Sequence, residues 1–154
     1  MEWTGGCMCG AIRYEVSEPP RESGTCHCHT CQQFSGSAYF AFARFSASAF
    51  RFTKGEPKLY RSTAIAERGF CSDCGSSLTF RYLEALGENV ESGPDQYWIG
   101  IGTLDHPESV TLDLHYGVEG QLPWVHFDDD LPRTRCDEDP DLIATYAAAK
   151  SKAE

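Results

Sequence analysis

Eight cysteines in a chain of 154 residues are the feature that most constrains how this sequence can fold. Persistent disulfides need an oxidising compartment, and the opening residues, MEWTGGCMCG, lack the basic start and the apolar stretch of an export signal. A disulfide inside a Cys-x-Cys pair is also strained, because neighbours so close rarely reach the required torsion. The spacing therefore favours metal thiolate sites over disulfides. Seven cysteines form three groups, and one stands alone: Cys7 with Cys9, Cys26 with Cys28 and Cys31, Cys71 with Cys74, and Cys136 by itself.

The two cysteine pairs predict one closed, four-sulfur metal site. Structural zinc sites are commonly built from two short knuckles, each supplying two sulfurs at ~2.3 Å from the ion. Gly10 and Gly75 directly follow the two pairs, and glycine lets the backbone turn tightly there. Such a site would tie the start of the chain to a distant strand. Its predicted ligands are Cys7, Cys9, Cys71 and Cys74.

The cysteine triplet leaves two alternatives open. Cys26, Cys28 and Cys31 supply three sulfurs, and three protein ligands with a free fourth position are typical of a catalytic zinc. The other alternative is a second structural site, completed by His27, His29 or Cys136. Tetrahedral sulfur sites also suit iron, but Cys-x-Cys-x-x-Cys does not match the ferredoxin spacings.

Composition and charge exclude several classes of protein. Hydrophobic residues make up 41% of the chain and charged residues 23%, which is typical of a packed globular protein. The formal net charge is −10, and no basic cluster is present to neutralise nucleic-acid phosphates. No apolar run approaches the ~20 residues of a membrane span. We therefore expect one cytoplasmic domain of residues 1–154, without nucleic-acid or membrane partners.

Short runs of alternating or apolar residues, bounded by Gly, Pro, Asp or Ser, predict a mainly β fold. One helix is predicted over about 139–149, where Asp139 can cap it and Pro140 occupies its first turn. A helical turn is expected at Ser46 to Phe50 and an exposed loop at Glu84 to Asp95. The predicted strands are Ile12 to Val16, Ser37 to Phe45, Phe50 to Thr53, Leu59 to Ser62, Ala66 to Phe70, Ser77 to Tyr82, Tyr97 to Ile101, Val110 to Tyr116 and Trp124 to Phe127.

Several segments resemble one known family. They are GGCMCGAIRYEV, CHCHTCQQFSGSAYFAFARF, FRFTKGEPKLY and ERGFCSDCGSSL, followed by YWIGIGTLDHP. This pattern resembles the glutathione-dependent formaldehyde-activating enzymes, also called the CENP-V/GFA domain. The resemblance covers residues 3 to about 133, nearly the whole chain.

The resemblance implies a zinc-pinned β-sheet fold of the Mss4-like type. It also implies a structural zinc on Cys7, Cys9, Cys71 and Cys74, and a second, catalytic zinc on Cys26, Cys28 and Cys31. The family's namesake activity joins glutathione and formaldehyde into S-hydroxymethylglutathione, so its members are grouped with carbon–sulfur lyases. A thiol and an aldehyde, with glutathione as the family's thiol, are the implied partners. The alternative from another class is a non-catalytic zinc scaffold, because a fold does not fix a function.

Two departures from the family pattern weaken the case for glutathione itself. Gln32 and Gln33 stand where many relatives carry basic residues, and the segment after His115 lacks the Ser-Lys that many relatives place before Pro-Trp. Glutathione carries two carboxylates, so without these basic residues the chain has fewer cations to bind them.

The remaining candidates have simpler structural interpretations. Successive residues of an extended segment alternate sides, so His27 and His29 should face away from a metal held by their cysteine neighbours. His115 fits either a cleft or a buried, hydrogen-bonded position, and Cys136 is most simply a free thiol. Three arginines could bind an anionic substrate, but arginines scattered among strands are more often solvated. The aromatic residues of the long apolar run are expected in the core. The arginines are Arg44, Arg51 and Arg68, and the aromatic residues are Tyr39, Phe40 and Phe42.

Overall fold

The computed structural model of the protein describes residues 3–87 and 92–153. These residues form eleven β-strands and two α-helices, which confirms the mainly β class with a short C-terminal helix. Within them, no helix is long and apolar enough to cross a membrane. The strands are β1 (Trp3–Gly6), β2 (Arg13–Val16), β3 (Glu22–Cys26), β4 (Phe40–Ser46), β5 (Phe50–Lys54), β6 (Lys58–Thr63), β7 (Ala66–Phe70), β8 (Ser77–Tyr82), β9 (Gln96–Gly100), β10 (Leu114–Tyr116) and β11 (Arg133–Thr134), and the helices are α1 (His29–Ser35) and α2 (Pro140–Ala153).

The strands form two sheets of unequal size. A three-stranded sheet has the order β1-β2-β5, and an eight-stranded sheet has the order β11-β10-β3-β4-β9-β8-β7-β6. All pairings in the larger sheet are antiparallel except those of β10, which runs parallel to both β3 and β11. The cysteine triplet begins at the end of β3, inside this larger sheet.

The two faces of the larger sheet carry different clusters of side chains. On β4, Ala43 and Phe45 pack with residues of the small sheet such as Tyr14 and Val16. Phe40 and Phe42, which alternate with them, pack on the opposite face with the cysteine triplet. This strand is buried on both faces, which explains why its sequence is almost continuously apolar. The small sheet therefore covers one face and leaves the other for the candidate site.

The structure confirms most predicted elements and corrects others. Asp139 does cap α2, since its Oδ1 accepts hydrogen bonds from the backbone N–H groups of Asp141 and Leu142 at 3.2 Å. The helical turn is present at Ala47–Ala49. The strand predicted at Trp124 to Phe127 is wrong, because this segment is a turn and irregular chain. The loop expected at Glu84 to Asp95 includes residues 88–91, which lie outside the described residues.

Three elements near the cysteines were not predicted. Strands β1 and β3 contain glycine and serine, which β propensity disfavours, and α1 has little apolar periodicity. Tertiary contacts stabilise them instead: β3 lies between β4 and β10, and α1 buries Cys31. Local sequence signals are weak at the candidate site because its backbone conformation depends on partners far along the chain.

Gly24 provides the close contact between β3 and β10. A Cβ atom at this position would lie 2.4 Å from the backbone oxygen of Leu114, so only glycine fits without moving β10. We predict that Gly24→Ala lowers the free energy of unfolding by about 1–3 kcal/mol, the usual cost of overpacking. Chemical denaturation measures this change.

Gly102→Ala is the matched control, because its added Cβ would meet no atom within 4 Å. Its free energy of unfolding should stay within about 0.5 kcal/mol of the parent protein. Equal stability of the two variants would contradict the close β3–β10 contact.

Candidate metal centre and active-site cavity

The four paired cysteines converge on one point. Their sulfurs all lie within 4.8 Å of one another, with Cys7 Sγ 3.6 Å from Cys9 Sγ and Cys9 Sγ 3.8 Å from Cys71 Sγ. Four sulfurs arranged tetrahedrally at ~2.3 Å from an ion would be roughly 3.8 Å apart. The donor set and its spacing therefore fit a metal ion.

Two similar turns hold these cysteines in place. Gly10 donates its N–H to the carbonyl of Cys7 at 3.2 Å, and Gly75 donates to the carbonyl of Cys71 at 2.8 Å. Both glycines have φ near +79°, in the left-handed region that favours glycine. The N–H of Ile12 also donates to Cys7 Sγ at 3.2 Å. The glycines that follow each pair thus have the role expected from the sequence.

The triplet forms a second group of sulfurs. Cys26 ends β3, Cys28 precedes α1 as its N-terminal capping position, and Cys31 lies inside α1. Their sulfurs also lie within 4.8 Å of one another, with Cys26 Sγ 3.5 Å from Cys28 Sγ. Among the described residues, no fourth His, Cys, Asp or Glu joins this group. The three sulfurs can thus hold a metal ion while leaving one coordination position free.

The pKa values of the three thiols differ because their sulfurs lie close together. Hydrogen bonds from Cys26 and then Cys31 lower the pKa of the Cys28 thiol to about 2. Hydrogen bonds to Cys28 and Cys31, together with burial, raise the pKa of Cys26 well above its usual value. Without a cation, one thiolate therefore discourages the ionisation of its neighbours. A bound metal ion would stabilise all three thiolates.

Arg68 supports the triplet from β7. Its Nη1 and Nη2 donate to Cys31 Sγ at 3.6 and 3.5 Å, and its guanidinium carbon lies 5.0 Å from the ring centre of Phe34 and 4.8 Å from that of Phe80. Only 5% of the side chain surface of this residue is exposed. The expectation that Arg68 is a solvated surface residue is wrong. The cross-strand register explains its position, because Arg68 lies opposite Phe80, which lies opposite Trp98.

A cavity of about 270 Å³ opens beside the triplet. Its wall includes all three cysteines and Arg68, a set of rings on the same sheet face, and residues of the C-terminal segment. Phe40 and Phe42, expected in the core, are buried and also line this cavity. Other residues of the wall are Glu22, Phe80, Tyr82, Trp98, Leu114, Tyr116, Cys136, Asp139, Leu142 and Tyr146.

The two buried histidines lie behind the triplet, outside the lining of this cavity. Thr25 Oγ1 is 2.9 Å from His27 Nε2 and 2.7 Å from His115 Nδ1, and His115 Nε2 is 2.9 Å from Asp129 Oδ2. Burial, followed by repulsion from His115, lowers the pKa of His27. Where the Thr25 hydroxyl donates to His115 Nδ1, its oxygen accepts from His27 Nε2, and His115 Nε2 donates to Asp129. The network fixes the end of β3 from the side opposite Cys26.

The other sequence candidates lie outside the triplet. His29 is exposed and has Nδ1 3.1 Å from Gln32 Oε1, while Gln32 Nε2 donates to the carbonyls of His27 and Gly120, both at 2.9 Å. Cys136 lines the cavity but does not join the metal-binding group. Arg44 is buried, contrary to expectation, whereas Arg51 is exposed as expected. Sequence reasoning named Arg68 but did not predict its contact with Cys31, which depends on strand register.

Comparison with known proteins identifies the family. The family model described as glutathione-dependent formaldehyde-activating enzyme matches residues 2–118. The chain belongs to this family. A Schizosaccharomyces pombe protein named only as an uncharacterised lyase is 32% identical over 119 residues, 77% of this chain and 80% of that protein.

One further relative and one solved structure are similar to this chain. A Halomonas elongata protein, whose name places it provisionally among the glutathione-dependent formaldehyde-activating enzymes, is 30% identical over 82 residues, 48% of this chain and 52% of its own. A Rhodobacter sphaeroides crystal structure from structural genomics has a TM-score of 0.53 and 22% identity, and covers 85% of this chain and 99% of its own. That likeness supports the fold.

The contact between Arg68 and Cys31 yields a testable prediction. Arg68→Met removes both hydrogen bonds to Cys31 Sγ and the positive charge beside the thiolates. We predict about tenfold weaker metal binding at the triplet of Cys26, Cys28 and Cys31. This factor lies within the range for residues that support metal ligands. Competition with a chromophoric chelator measures the affinity.

Arg51→Met is the control, because Arg51 is exposed and pairs with Glu15 on the surface. It should leave the metal affinities of the triplet and of the four-sulfur group unchanged. Wild-type affinity in Arg68→Met would show that the guanidinium does not stabilise the thiolates.

Proposed function

We propose that this protein is a zinc-dependent enzyme that forms or breaks adducts between a small thiol and an aldehyde, as a carbon–sulfur lyase does. Formaldehyde and glutathione are the substrates that the family name supplies. Cys26, Cys28 and Cys31 would hold the catalytic zinc, and Cys7, Cys9, Cys71 and Cys74 would hold a structural zinc. We also propose a single, Mss4-like domain that works in the reducing cytoplasm, with its core at about 3–133.

One observation carries this proposal: three sulfurs converge at the wall of a cavity without a fourth described protein ligand. Structural zinc sites are closed by four protein ligands, whereas catalytic sites keep a position for water or substrate. The four-sulfur group has the closed composition and the triplet has the open one. This contrast within one chain favours catalysis at the triplet over a purely scaffolding role.

The donor set of the triplet suits a thiol substrate. A zinc ion held by three thiolates would favour a soft fourth ligand and lower the pKa of an incoming thiol, which makes that sulfur nucleophilic towards an aldehyde carbon. Arg68 would offset part of the negative charge of the thiolates through Cys31. The rings around the cavity would limit access of water, because they form an apolar wall beside the sulfurs.

The test is whether the protein accelerates the exchange of formaldehyde with its thiol adduct. We predict at least about tenfold faster exchange of ¹³C-formaldehyde between free and adduct forms, measured by NMR exchange spectroscopy, for at least one of glutathione, 2-mercaptoethanol and phenylmethanethiol. General acid–base and metal catalysis commonly exceed this factor. Cys28→Ser should abolish the acceleration, since it removes a ligand of the triplet.

His29→Ala is the matched control, since His29 lies between Cys28 and Cys31, is exposed and lies outside the cavity lining. It should keep the wild-type exchange rate. Wild-type protein with two metal ions per chain but no acceleration for any of the three thiols would contradict the proposed enzyme and favour the non-catalytic scaffold.

A further inference from the structure

Part of the cavity wall comes from beyond the family match. The family model ends at residue 118, whereas Cys136, Asp139, Leu142 and Tyr146 all line the cavity. Two of these residues belong to α2, which packs through Leu142 against Ile65 and Leu86. The chemistry of the cavity can therefore differ from what the family name alone suggests.

The wall of the cavity is predominantly apolar and aromatic. Tyr82 and Trp98 meet edge to face, with ring centres 5.3 Å apart and planes at 89°. Phe80 meets Trp98 in a similar way at 5.7 Å and 81°. Such edge-to-face contacts favour a fixed arrangement of the rings. The wall is thus a preformed apolar surface beside the three sulfurs, completed by Phe40, Phe42, Leu114, Tyr116, Leu142 and Tyr146.

The charged groups on this wall already have partners within the protein. Arg68 donates to Cys31 and Ser62, and Asp139 accepts from the Tyr116 hydroxyl at 2.6 Å while it caps α2. The carboxylate of Glu22 lies 3.8 Å from Arg44 Nε. Arg68 is the only Lys or Arg among the described lining residues. The described wall therefore offers no uncommitted cation to a substrate.

Glutathione matches this wall poorly. Its two carboxylates would have to lie near Glu22, Asp139 and the thiolates, where like charges repel. A buried carboxylate without a cation or hydrogen-bond donors is costly. An apolar substituent would instead gain free energy in proportion to the area that it buries.

The attachment of the sulfur decides which part of the substrate occupies the cavity. A thiol whose sulfur binds beside Cys26, Cys28 and Cys31 extends its substituent into the adjoining space. The volume, about 270 Å³, is near the lower end of the range for small-molecule sites. We infer that the preferred thiol is uncharged and carries a compact apolar substituent, of the arylmethanethiol or branched alkanethiol class. This inference rests on the proposed function and narrows its substrate.

The test compares three thiols on cobalt-loaded protein. Phenylmethanethiol, 2-mercaptoethanol and glutathione are titrated while the sulfur-to-cobalt charge-transfer absorption is followed. Burial of a phenyl group predicts about thirtyfold tighter binding of phenylmethanethiol than of 2-mercaptoethanol. Phenylmethanethiol should also bind at least about tenfold more tightly than glutathione.

A pair of variants on α2 tests whether the wall sets this preference. Tyr146→Lys places a cation on the cavity wall and should weaken phenylmethanethiol binding and strengthen glutathione binding, each by about fivefold to tenfold. Ile143→Lys is the matched control, because Ile143 is 50% exposed on the same helix and does not line the cavity. It should leave both affinities unchanged.

The outcomes separate this inference from the proposed function. Glutathione binding as tightly as phenylmethanethiol, or a preference that Tyr146→Lys does not change, would overturn the apolar substrate class. Accelerated formaldehyde exchange with glutathione would then leave the enzyme proposal standing. If none of the three thiols perturbs the spectrum of protein that carries two cobalt ions, both proposals are contradicted.

Discussion

The mutual repulsion of closely spaced thiolates is the constraint on which the rest of this structure depends. Two groups of sulfurs each converge within 4.8 Å, where thiolate charges would repel one another without a cation. The fold nevertheless places them there, by turns that end in glycine at one group and by the junction of β3 with α1 at the other. A metal ion bound at either group would stabilise thiolates that the chain has already assembled.

The two faces of the larger sheet have different roles. The face covered by the small sheet is an ordinary apolar core around Phe45 and Ile99. The opposite face carries a cross-strand row in which Arg44 pairs with Trp98, Trp98 with Phe80, and Phe80 with Arg68. This row brings a buried cation to Cys31 and an aromatic wall to the cavity. Sheet register thus links the metal-binding group to the surface that would select a substrate.

The sequence predicted the sulfur groups well because the spacing of cysteines along the chain directly limits which of them can share an ion. It also predicted β2, where buried and partly exposed residues alternate, strands β7 and β8 with their observed bounds, and the cap of α2 at Asp139. It missed β3 and α1, since their residues have weak intrinsic preferences and depend on tertiary contacts, such as that of Gly24 in β3 with Leu114 in β10. It named Arg68 but missed its burial beside Cys31, because burial of an arginine depends on cross-strand pairing that spacing alone does not reveal.

The most direct test of this account is the number of metal ions per chain in freshly purified protein and in the triple variant Cys26→Ser, Cys28→Ser, Cys31→Ser. Elemental analysis gives the number of ions, and circular dichroism reports whether the fold is retained. We predict two zinc ions in the parent protein and one in the variant, with unchanged circular dichroism. One ion in both proteins, or loss of the fold in the variant, would contradict a separable, open site at the triplet.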